Sequence, residues 1–215
     1  MAPYIRECIE RTVGVLVSAH ELKDANPREC GKFWDQTVLS RLDLGGWSIE
    51  VKEMNTTLQG TMESCKGQIP AIEVTFLHAT HPQKPSHTMV HLYITGWVDR
   101  TIVSDENLVL TLLKLMQLFS SGPVAVNCAA GRGRSLTIGL VFAQIRQIYE
   151  TWVHGGDIEN MAINVPELVY HISQQRDLDL RNTPVERVCP TFLQMLSLIN
   201  AYAQWLLTAK FYRKK

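Results

Sequence analysis

This sequence lacks any surplus of one charge sign: Lys and Arg together number 21, as do Asp and Glu together. A protein that grips nucleic acid or an anionic membrane through its overall field needs a basic excess, so neither partner is expected. A neutral total still permits a local basic pocket. Long apolar runs are missing too. No stretch approaches the about 20 residues that cross a bilayer. The first residues, MAPYIRECIERTVG, carry charges where a signal peptide has its apolar core. Cysteine is sparse and irregular, at positions Cys8, Cys30, Cys65, Cys128 and Cys189. The count is odd and no pair forms C-x-x-C, which disfavours a disulfide framework and a thiolate zinc site. No repeat, low-complexity tract or linker breaks the chain, and 215 residues suit one domain over 1–215 with a full core. The expectation is a cytoplasmic protein in a reducing compartment.

What is present is patterning. Val13–Ser18 (VGVLVS) is a short valine-rich run, predicted as a buried strand. Trp47–Glu53, Ile72–Leu77 and Thr88–Thr95 read as further strands rich in β-branched residues. Lys66–Pro70 and His81–Ser86 carry turn residues, so these strands are expected to be antiparallel neighbours on short connections. The second half changes period. Asp105–Phe119 spaces its leucines helically, with Ser104 or Asp105 as N-cap. Pro123–Val126 is a short strand, Leu136–Trp152 a helix, and Pro166–Arg176 and Thr191–Lys210 two more. The fold class is α/β, a twisted mixed β-sheet flanked by helices. His87 and His91 lie four apart on one strand and share a face. With no third ligand placed, they read as strand surface or core rather than a metal site.

Between the strand at Val126 and the following helix lies Asn127–Ser135, NCAAGRGRS. Strand, tight loop and helix form the right context for an anion site, because a helix start offers backbone N–H groups and partial positive charge. Gly131 and Gly133 let the backbone curl so that the N–H groups of Ala129, Ala130, Gly131, Arg132 and Gly133 form a nest for phosphate oxygens. Arg134 adds a fork of donors able to hold two oxygens at once. Cys128 sits at the base of this cradle. Sites of this kind favour the thiolate, the form that attacks phosphorus. Ser135 can donate a hydrogen bond to the sulfur and ease its later departure. The C-x5-R spacing alone is a weak signal. The preceding strand, both glycines, the hydroxyl residue and the following helix together make it specific against the bland reading, a buried Cys at a strand end beside a surface Arg.

These residues resemble a known family. Val124–Gly139 (VAVNCAAGRGRSLTIG) is similar to the signature V-H-C-x-A-G-x-G-R-[ST]-G of the classical protein tyrosine phosphatases. Trp97-Val98-Asp99 resembles the family's mobile W-P-D loop, Cys30–Trp34 its C-x-x-[YF]-W element, and Ile9–Glu21 the strand and turn before it. Ser173–Arg176 with Val188–Gln194 (VCPTFLQ) resembles the late loop V-Q-T-x-x-Q. The likeness runs in order through most of the chain. It implies a protein tyrosine phosphatase-like fold and hydrolysis of phosphotyrosine proteins in signalling. Cys128 would form a cysteinyl-phosphate, and Asp99 would act as general acid and then as base. Arg134 and the loop backbone would hold the phosphoryl oxygens, and Gln194 would place the hydrolytic water. No metal or organic cofactor is implied.

The pattern is degenerate at four places. Asn127 stands where the family has His, Val98 where it has Pro, Pro190 where it has the first Gln of the late loop, and Leu136 where it has Gly. The family's N-R-Y loop, whose Tyr stacks on the substrate ring, lies upstream of anything here, so the resemblance implies truncation at the N-terminus. Tyr4 is a candidate substitute, with local packing the plainer role. Three readings follow: an active phosphatase, a weak or inactive pseudophosphatase that binds phosphotyrosine proteins or kinases, and a phosphatase for another phosphomonoester.

Overall fold

The computed structural model describes residues 2–19, 39–40, 42–64, 67–98, 105–128, 134–161, 199–204 and 206–207. The first element is a helix, α1 (Ala2–Glu10). Its buried residues Ile5, Cys8 and Ile9 follow the i, i+3, i+4 spacing of one face, while Arg6 with Glu10 and Arg11 with Glu7 pair on the exposed side. This corrects the expectation that a strand-and-turn unit starts at Ile9. Ile9 completes the buried stripe of α1, and extended backbone begins only at Val15.

Five strands follow: β1 (Val15–Ala19), β2 (Ser48–Gln59), β3 (Ala71–His81), β4 (Lys84–Thr95) and β5 (Val124–Cys128). They form one sheet in the order β2-β3-β4-β1-β5. β2, β3 and β4 pair antiparallel, as their turn signals predicted. The turn before β4 is shorter than expected. His81 pairs with Lys84, leaving only Pro82 and Gln83 between the strands, because backbone pairing continues beyond the apolar stretch into exposed residues. β1 lies parallel to both β4 and β5. Ala19 therefore pairs with Ile94 on one side and Cys128 on the other, and three strands end together on one edge of the sheet. In sheets with parallel strands, ligands bind outside such carboxyl ends.

Alternation along the strands builds two apolar layers. On one face, Val15, Val17, Leu92 and Ile94 pack against α2 (Glu106–Phe119) and α3 (Arg134–Val153). On the other, Leu16, Leu77, Met89 and Tyr93 pack with Ile5, Cys8 and Ile9 of α1. β1 is covered on both sides, hence its unbroken apolar run. The described part of the late helix, residues 199–204 and 206–207, adds Ile199, Tyr202 and Leu206 to the first layer. The helix expected over Pro166–Arg176 and the Cys30–Trp34 element lie outside the described residues.

α2 begins at the residue its capping signal indicated. Asp105 accepts from the Leu108 backbone N–H at 3.1 Å, and also from Thr61 N at 2.6 Å. The cap thus ties α2 to the loop after β2. Hydrogen bonds from Thr61 hold the Asp105 carboxyl below the usual aspartate range, against the opposing effect of burial. A carboxyl lowered in the folded state stabilises it above the unfolded value of about 4, and that contribution fades as pH falls through the folded value. Asp105→Ala is expected to cost about 1–2 kcal/mol at pH 7 through loss of the cap. The cost shrinks toward pH 2, as urea midpoints at the two pH values would show.

Candidate active site

Cys128 ends β5 with 9% of its surface exposed, and Arg134 opens α3 with 4% exposed. The Cys128 thiol donates to Ser135 Oγ at 3.3 Å. Once the sulfur is ionised this bond must reverse, with the hydroxyl donating to it. Arg134 Nη1 donates to the Trp97 carbonyl at 2.9 Å. Trp97 follows β4 and is itself buried, as is Val98. The bond therefore joins the segment after β4 to the start of α3, across the edge where the parallel strands end. A thiol, a hydroxyl and a guanidinium lie at this edge in a largely dry setting, where charge interactions are stronger than in water.

Gly96 sets the path into Trp97. Its φ is +69°, and a Cβ there would lie 2.8 Å from the Cα of Pro70. Neither the dihedral nor the backbone contact suits any other residue. Gly96→Ala is expected to cost about 1–3 kcal/mol and to loosen the Trp97–Arg134 contact, read as a lower urea midpoint together with weaker phosphate-analogue binding.

Asn127 points away from Cys128, as successive strand residues must. Its Oδ1 accepts from Ser18 Oγ at 2.6 Å, and Ser18 Oγ lies 2.9 Å from His91 Nε2. Ser18 and His91 are both fully buried. Sequence reasoning assigned His91 to strand surface or core and missed both this chain and the Trp97 carbonyl. A signal for the chain existed: Ser18 and Asn127 interrupt two strands that otherwise read apolar, and His91 interrupts the run Met89–Ile94 of a third. Nothing local signals the Trp97 contact, which joins residues 37 apart through a backbone atom.

The structure brings Cys128, Arg134 and Ser135 together. Asp99, Gln194 and the loop residues Ala129, Ala130, Gly131, Arg132 and Gly133 lie outside the described residues, as does Pro190. Val98 carries the described chain up to the residue before Asp99. Leu136 is fully buried in the layer under α3, so its side chain is used in the core. Tyr4 packs on the α1 layer, the face opposite Cys128, in keeping with the plainer role of local packing and not with a substrate-stacking ring. Among the described residues no group of His, Cys, Asp or Glu could hold a metal ion, and no helix is long and apolar enough to cross a membrane.

The family model described as Protein-tyrosine phosphatase matches residues 2–183, most of the chain. The chain belongs to the protein-tyrosine phosphatase family. Among curated relatives of this phosphatase-family chain, Tyrosine-protein phosphatase 2 of Schizosaccharomyces pombe is 26% identical over 138 residues, covering 64% of this chain and 18% of the relative. Receptor-type tyrosine-protein phosphatase C of Homo sapiens is 23% identical over 131 residues, covering 60% of this chain and 9% of the relative. The chain thus spans under a fifth of the length of each. The solved catalytic domain of human protein tyrosine phosphatase non-receptor type 18 superposes with a TM-score of 0.65 at 21% identity, covering 95% of this chain and 64% of that domain. That likeness shows a shared fold: the mixed sheet flanked by helices is that of the phosphatase catalytic domains.

Proposed function

We propose that this chain is a protein tyrosine phosphatase, acting as one cytoplasmic domain on phosphotyrosine-containing proteins. The observation that supports it best is the placement of Cys128 Sγ 3.3 Å from Ser135 Oγ, next in sequence to the buried Arg134, where three parallel strands end. In this reading the Cys128 thiolate attacks phosphorus and the phenolate leaves with a proton from Asp99. Water, placed by Gln194 and deprotonated by Asp99, then cleaves the cysteinyl-phosphate. Ser135 donates to the departing sulfur. Arg134 and the Ala129–Gly133 backbone hold the phosphoryl oxygens as charge spreads over them. A structure of the type 18 phosphatase is described as the basis of its fingerprint on distinct HER2 tyrosine phosphorylation sites, which supports phosphotyrosine proteins as the substrate class.

The purified protein is expected to hydrolyse a phosphotyrosine peptide, with Asp99→Ala lowering kcat by about 10²–10⁴-fold, the usual size of general-acid catalysis. An unchanged rate removes Asp99 from the mechanism. Asn127 favours a second reading: an amide stands where the signature has an imidazole, and its oxygen is bound by Ser18 on the face away from the sulfur. Phosphopeptide binding with no turnover would make the protein a pseudophosphatase.

A further inference from the structure

We propose that His91 is a positioning residue for the Cys128 thiol, acting through Ser18 and Asn127 in a relay that fixes the residue standing where the signature has an imidazole. The inference rests on the reading of Cys128 as a nucleophile. Parallel register sets Ser18 beside Asn127 and Ala19 beside Cys128. Ser18 has one hydroxyl hydrogen, and the 2.6 Å contact to Asn127 Oδ1 uses it, since a carboxamide oxygen can only accept. Ser18 Oγ must then accept from His91, at 2.9 Å, so the proton sits on Nε2. The chain runs in one direction, from His91 Nε2–H through Ser18 Oγ–H to Asn127 Oδ1. It holds the Asn127 amide in one of its two flips, with oxygen toward Ser18 and the Nδ2 hydrogens on the other side. This fixes the residue directly before Cys128, and with it the strand end from which the sulfur projects.

The setting argues against idle packing. His91 and Ser18 are fully buried beside Leu16, Met89 and Tyr93, where valine or leucine would satisfy the alternation. Burying a hydroxyl and an imidazole there costs free energy unless each is hydrogen-bonded. The other titratable or charged groups described on this face include Tyr4 and Cys8 of α1, Tyr93 with Glu73 opposite it, His81 and His87, with Arg6, Glu10 and Lys84 at its edge. Arg134 and Asp105 belong to the opposite side.

The test is the rate at which iodoacetamide alkylates Cys128 at pH 7, followed on its own peptide by mass spectrometry with Cys128→Ser as blank. Cys8 is an internal control, since burial pushes its thiol up to about 11. His91→Leu and Ser18→Ala are each expected to slow alkylation roughly five- to tenfold, the worth of one hydrogen bond, and the double variant no further. His91→Gln keeps a donor for Ser18 and should restore the rate to within about twofold, a rescue that a role in packing alone would not give. Thermal melts check folding, and Ser18→Ala, which removes one oxygen, carries the test if the leucine variant does not fold. Wild-type rates in His91→Leu or Ser18→Ala, or His91→Gln as slow as His91→Leu, overturn the proposal. Alkylation needs no turnover, so an inactive wild type with this pattern would sink the phosphatase reading and leave the relay standing.

Discussion

Cys128→Ser is expected to lower aryl phosphate hydrolysis at least about a thousandfold while the folded structure survives. The size follows from chemistry. A serine hydroxyl is almost wholly protonated at neutral pH and is a weak nucleophile, whereas a sulfur anion attacks phosphorus well. The fold survives because oxygen replaces sulfur without adding volume, and Ser can keep the contact to Ser135. Initial rates on a small aryl phosphate, with circular dichroism beside them, check both halves. Activity above a few per cent of wild type would remove Cys128 from the mechanism.

Arg134→Lys is expected to lower kcat/KM by about 10²–10³-fold, a loss of the order seen when one preorganised donor to developing charge is removed. Charge alone is not enough here. The guanidinium gives one arm to the Trp97 carbonyl at 2.9 Å and is planar, so its other donors are aimed by that bond. A lysine ammonium must choose between the carbonyl and the phosphate. Arg134 is also 4% exposed, so truncation to Ala would leave a buried carbonyl short of a donor and lower stability besides. The lysine variant separates the two effects: a large fall in kcat/KM with a small change in urea midpoint is the expected pair. A rate within threefold of wild type would show that the fork geometry is not used.

Much of the site was legible in one stretch of chain. Cys128 at the end of β5 and Arg134 and Ser135 at the start of α3 stand within one short stretch, Val124–Ser135, so their grouping along the chain is visible in the letters. Asp105 was legible as a cap for the same reason. α1 was not, since a nine-residue helix shows its buried stripe only as Ile5, Cys8 and Ile9, too few positions to set a period apart from the charges between them. His91 was placed on the right kind of surface but without a partner, because its partner Ser18 lies 73 residues away.

The sequence by itself determined the local pieces: the antiparallel strands on short connections, the helix after Asp105, and the strand and helix that flank the cysteine. Each depends on the spacing of neighbours along the chain, and spacing is visible in a string of letters. Only the tertiary structure decided that β1 lies between β4 and β5. That placement brings Trp97 to Arg134 and carries Ser18 to Asn127, 109 residues away. The physical reason is that strand order is set by which apolar faces bury one another once collapsed, a long-range choice that no local period encodes.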